Sequence, residues 1–193
     1  VAYLFAIGVR AARAVTVRLP GTMRPAVGGL GLGLLALASP HALTNGEFAV
    51  AELTTGDLTV LALVGAAAAK LGGSVIAVAG EWRGGFIIPL FFIGATLGTA
   101  IHEVFPSTNQ WVLVTAMMVG CNVGVTKTVL GSVLVVAEMS GTGLLPTLLI
   151  SSVITLGLTG PIHVIETQRH RAEREVDPGP HDGEPADPGP PAS

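Results

Sequence analysis

Charge is scarce in this 193-residue chain: only 12% of its residues are Asp, Glu, Lys or Arg, and aromatic side chains make up 5%. A water-soluble domain of this length carries a far more charged surface, so the composition excludes an ordinary soluble globule. Cysteine is reduced to Cys121, inside an apolar run. That excludes a disulfide framework and a multi-cysteine metal site, and Cys121 reads as a small core residue. The formal net charge of -3 is misleading, because Glu173, Glu175, Asp177, Asp182, Glu184 and Asp187 crowd the tail. The remaining apolar body is nearly uncharged and offers no nucleic-acid-binding surface. Nor is there a clustered set of nucleophile, base and metal ligands, which argues against an enzyme and against a cofactor or metal site.

What is present is apolar. Half of the residues are hydrophobic, mean hydropathy is +0.67, and most of the 26 glycines run through the apolar stretches. Small residues in that setting let membrane helices approach one another closely. The solvent for most of the chain is therefore lipid.

The chain enters an apolar stretch at Val1, with no basic leader before it and no small-residue cleavage site after it. We read a cut inside a helix, hence a fragment, and no signal peptide. Residues 1 to 19 acquire Arg10, Arg13 and Arg18 before Leu19-Pro20, a helix leaving the membrane on a basic side. A Gly/Leu run follows Arg24-Pro25 to about Ala38, then a polar, acidic connection from His41 to Asp57. Residues 58 to 79, interrupted only by Lys70, are long enough to cross a bilayer. The next apolar run extends from Gly84 to Ile101, ended by His102-Glu103. Trp111 to Val125 and Thr128 to Ala137 are too short to span comfortably alone, and Gly143 to Ile165 is apolar with Pro146 near its start. Residues 168–193 form a Pro/Gly/acidic tail that cannot bury a core, so disorder is expected there. Short runs broken by Gly and Pro are the pattern of re-entrant helices in channels and transporters, where freed backbone groups line an ion cavity.

The most informative segment is Arg83-Gly84-Gly85-Phe86-Ile87-Ile88-Pro89. Two glycines ahead of a helix let the backbone curl so that successive N–H groups face one point, and Pro89 lacks a donor that the first turn cannot use internally. With the helix dipole, such a start attracts an anion without a fixed cation that would hold it too tightly. The same pattern also occurs at ordinary helix N-termini.

These residues carry a family resemblance. Gly85-Phe86-Ile87-Ile88-Pro89, with Ile93-Gly94-Ala95-Thr96-Leu97-Gly98-Thr99-Ala100 behind it, resembles the filter motif G-x-F-x-P of CLC chloride channels and proton/chloride antiporters. Thr128 to Gly141, reading TVLGSVLVVAEMSG, is similar to the family stretch P-L-T-G-x-x-L-V-x-E-M-T-G. Leu145-Pro146 with its uncharged helix, and Arg18-Leu19-Pro20 through Arg24-Pro25-Ala26, follow the family order. Ordered blocks across residues 1 to 165 are far more specific than a single motif.

The resemblance implies an all-α, inverted-repeat membrane bundle of tilted, broken and re-entrant helices, with residues 1–167 forming the C-terminal half of the transmembrane domain. It implies chloride as the transported ligand and an anion site at Gly84, Gly85, Phe86, Ile87 and Pro89, the ion contacted by the N–H groups of Phe86 and Ile87. Ile87 stands where the family usually has Phe, and His163 at the position of the tyrosine that touches the anion. An imidazole can donate an N–H to chloride or serve as an interfacial anchor. Lys70 is read as snorkelling or pairing with a neighbouring helix, Glu138 as a cap or an ion-pair partner, and Lys127 as a pore-mouth or positive-inside residue.

The serine-bearing motif G-S-G-I-P and the gating-glutamate motif G-K/R-E-G-P do not occur in these residues. Channel and antiporter therefore remain alternatives, and the missing N-terminal half of the same protein is an expected partner. A homodimer in the bilayer of the cell membrane is expected, joined through Thr128 to Ala137 and Leu145 to Thr159. The positive-inside rule puts Arg10, Arg13, Arg18, Arg24, Arg169, Arg171, Arg174 and the tail in the cytoplasm, with Glu47, Glu52 and Asp57 outside. The competing class is a membrane assembly subunit that keeps the fold without a working anion site.

Overall fold

The computed structural model describes residues 1–43, 50, 52–54, 56, 58–82 and 84–160, and its regular elements are helical, with no strand among the described residues. In chain order we label α1 (Ala2–Thr16), α2 (Arg24–Ala38), α3 (Val60–Ala79), α4 (Ile87–Val104), α5 (Gln110–Thr126), α6 (Val129–Ser140) and α7 (Leu145–Thr159). Short 3₁₀ turns occupy Pro40–Ala42 and Thr142–Leu144.

The ends of these helices follow from local chemistry. Thr59 Oγ1 accepts from the Ala62 amide at 3.3 Å to cap α3, and Asn109 Oδ1 accepts from Trp111 and Val112 at 2.9 and 3.3 Å to cap α5. Pro25 and Pro146 stand in the first turns of α2 and α7, where the missing N–H costs no helical bond. Gly141, at φ 87°, terminates α6.

Helix α5 is the centre of the fold. It buries Val114, Met118, Val119, Cys121, Asn122, Val123 and Val125, and α4, α6 and α7 pack around it. Gly94 and Gly98 set the closest of these approaches. A Cβ at Gly94 would lie 2.5 Å from Met118 Cα, and one at Gly98 would lie 2.5 Å from Val114 Cα, so backbone meets backbone only because both side chains are absent. The pairing of Gly94 with Met118 and of Gly98 with Val114 makes α4 and α5 antiparallel. Cys121 is buried and reduced, as its surroundings in the sequence suggested.

Among the described residues, three segments are long and apolar enough to cross a membrane: Val60–Ala79, Ile87–Val104 and Thr142–Thr159. Helices α5 and α6 are shorter, in line with the short runs read from the sequence. Helices extend beyond the apolar runs. The run that His102 and Glu103 close is shorter than α4, which continues through them to Val104 because its last turn still bonds from Phe105 N to Ile101 O. Helix α6 likewise runs past Glu138 to Ser140. The connection taken as polar also contributes to the core: Leu53 is buried, and Gln110 Nε2 donates to Thr54 O at 2.7 Å. The tail and the boundary at residue 167 lie outside the described residues.

Candidate anion site

Helix α4 begins at Ile87 with Phe86 as its N-cap, and the first helical hydrogen bond runs from Leu90 N to Phe86 O at 3.0 Å. The amides of Gly84, Gly85, Phe86, Ile87 and Ile88 donate no hydrogen bond among the described residues. Pro89 occupies the third helical position, where a donor has no intrahelical acceptor. The start of α4 therefore presents a run of backbone donors at the positive end of an 18-residue helix.

Gly84, Gly85, Phe86 and Pro89 line a cleft of about 240 Å³ together with Trp82 and Lys70. Gly84 and Gly85 are exposed, Phe86 and Pro89 are half-buried, and Ile87 is 46% exposed. Phe86 leans on the cluster formed by Phe5, Val9, Leu90 and Val125, which holds the helix start against α1 and α5.

The glycines act differently from the curl anticipated for them. Neither is in the left-handed region, and a Cβ at either would meet nothing within 4 Å. Their contribution in this chain is open space beside the amides rather than an unusual backbone angle. The reason is that Phe86, near φ -101° and ψ 2°, makes the turn into the helix itself.

The model of the voltage gated chloride channel family matches residues 1–160, a span that takes in every helix described above. The chain belongs to this family. The family is one of membrane ion-transport proteins, and the helical build of the described residues agrees with it. Among curated proteins it is similar to "Putative ion-transport protein YfeO" of Escherichia coli strain SMS-3-5 / SECEC, 33% identical over 108 residues, covering 52% of this chain and 25% of that protein. The Escherichia fergusonii protein of the same name matches to the same extent, and that of Escherichia coli O1:K1 / APEC is 32% identical over 108 residues. The matched stretch is thus a quarter of the length of these relatives.

Within the family frame the sequence-derived residues fall in different places. Gly84, Gly85, Phe86, Ile87 and Pro89 come together at one helix start, whereas His163 lies outside the described residues. Lys70 does not snorkel: it is 1% exposed, donates from Nζ to Leu43 O at 2.7 Å, and sits 5.0 Å from the Phe92 ring centroid. A lysine interrupting an otherwise uncharged run was the signal that it has a specific place. Lys127 is a C-cap, at φ 61°, whose Nζ donates to Gly124 O at 3.1 Å and Thr159 Oγ1 at 2.7 Å, so it joins the ends of α5 and α7. Glu138 is exposed on α6 and has no ion-pair partner among the described residues, so neither a cap nor an ion pair is found for it.

Proposed function

We propose that the chain supplies the second-repeat part of a chloride filter, with the ion held by the backbone N–H groups of Phe86 and Ile87 at the start of α4. The observation that carries this reading is the run of amides from Gly84 to Ile88 without acceptors among the described residues, at the positive end of the helix and beside the cleft that Gly84, Gly85, Phe86 and Pro89 line. Gly84 and Gly85 leave the approach open, Pro89 withholds a donor that would have no use, and His163 adds a side-chain donor. Family membership supports chloride as the ligand, and the ion-transport name of the relatives agrees with it. In this reading the protein is a homodimer of the cell membrane. It is completed by an N-terminal half, and its tail from residue 168 is cytoplasmic.

Isothermal titration of the full-length protein with chloride tests it. Gly85→Val is expected to abolish measurable binding, because a branched side chain fills the space next to the amides. His163→Ala is expected to weaken binding by about 1.5 to 3 kcal/mol, the worth of one hydrogen bond to a charged group. Unchanged affinity in both variants would move the site elsewhere and favour an assembly subunit.

A further inference from the structure

The approach to the α4 start is held by residues far apart in sequence. Helix α3 ends at Ala79, and the chain leaves it through a two-bond motif: Glu81 N donates to Val78 O at 3.2 Å and Trp82 N to Ala77 O at 3.0 Å. This closure requires a left-handed residue after the cap, a place that glycine fills most readily. Here it is filled by Glu81, at φ 61°. A carboxylate therefore stands at a position whose backbone disfavours any side chain.

That carboxylate has a specific partner. Glu81 Oε1 lies 2.6 Å from Arg24 Nη1, and Arg24 also donates through Nε to Leu19 O at 3.2 Å and through Nη2 to Val17 O at 3.4 Å. The next residue makes a second tie in the same direction, Trp82 Nε1 donating to Pro25 O at 2.9 Å. The indole lies on two glycines, since a Cβ at Gly29 would be 3.2 Å from Trp82 Cζ2 and one at Gly80 would be 3.3 Å from Cδ1. Trp82 also lines the cleft with Gly84, Gly85, Phe86 and Pro89. The exit of α1, the first turn of α2 and the end of α3 are thus joined two residues before the filter segment begins.

We propose that Arg24, Glu81 and Trp82 form a latch that positions the Gly84–Pro89 segment for anion transport. They are positioning residues: none of them supplies a donor to the ion in the filter reading, on which this inference rests. Glycine, although better suited to the turn, would leave Arg24 without its carboxylate and the approach to α4 tied only through Trp82.

The test is chloride flux into proteoliposomes containing the full-length protein at constant ionic strength, with the melting temperature of each variant measured beside it. Glu81→Gly relieves the backbone, so its melting temperature is expected to hold or rise, while flux per folded molecule falls roughly two- to fivefold, the range an exposed ion pair supports. Trp82→Phe keeps the ring on Gly29 and Gly80 but removes the bond to Pro25, and a similar fall is expected. Arg24→Glu alone lowers flux, and adding Glu81→Arg recovers part of it. Wild-type flux in both Glu81→Gly and Trp82→Phe, with Gly85→Val inactive, would overturn the latch and leave the filter standing. A loss that disappears once flux is normalised to folded protein would overturn it too, by making these contacts purely structural. Undiminished flux in Gly85→Val would overturn the filter reading and the latch together.

Discussion

Lys70 is the residue at which local pattern and tertiary environment diverge most. A cation in the middle of an apolar, membrane-length helix is expensive unless its donors are met. Here Nζ is held by the carbonyl of Leu43 and lies over the ring of Phe92, and the side chain borders the cleft at the start of α4. At a separation on the order of 10 Å and an effective dielectric constant of about 20, one positive charge contributes roughly 1.7 kcal/mol to an anion, or about an order of magnitude in affinity. Lys70→Met is therefore expected to weaken chloride binding about tenfold, while Lys70→Arg holds it within about twofold. Replacing a buried ion by an apolar side chain of similar volume is often neutral for folding, so affinity is the informative quantity. Isothermal titration reads it directly, and equal affinity in wild type and Lys70→Met would reduce Lys70 to a tie between α3 and the Leu43 turn.

Helices in this molecule are held less by amphipathic stripes than by close backbone approach. The α4 and α5 pair shows the reason: where lipid is as apolar as the side chains, packing distance decides which helices associate. Gly94 and Gly98 are placed four residues apart on one face of α4, each against the backbone of α5. Gly98→Leu is expected to lower the stability of the full-length protein by about 1 to 3 kcal/mol through overpacking. Gly65→Ala in α3, whose added Cβ meets nothing in this chain, is expected to be neutral or to gain up to about 1 kcal/mol in helix propensity. Thermal unfolding in detergent compares the two. Equal melting temperatures would mean that α4 and α5 can separate without cost.

Taken as a whole, the molecule leaves a large apolar surface on α6 and α7: Leu130, Leu134, Met139, Ile150, Val153 and Ile154 are all exposed. Such a surface requires lipid or protein against it. In the homodimer reading, Ile154→Trp on this face is expected to yield monomers by cross-linking in detergent, whereas the wild-type protein cross-links as a dimer. A wild-type protein that is already monomeric would assign the face to lipid.

Composition and local pattern alone established that the chain is a helical membrane protein, where most of its helices lie, and which segment heads α4. These are properties of neighbouring residues: hydropathy over about 20 positions, a Thr or Asn before a helix, a proline in a first turn. The same local signals mark only where the apolar run stops, at His102 and Glu103, while backbone bonding carries α4 on to Val104. They also could not find the partners of Lys70, Arg24 or Trp82. Lys70 meets Leu43 across 27 positions, and Arg24 meets Glu81 across 57. Such pairs exist only once α2 and α3 are packed at Gly28 and Gly80, where a Cβ on Gly28 would stand 2.9 Å from Gly80 Cα. The order of the helices is written along the chain, but which side chains face each other at the approach to the site follows from how closely their backbones come together.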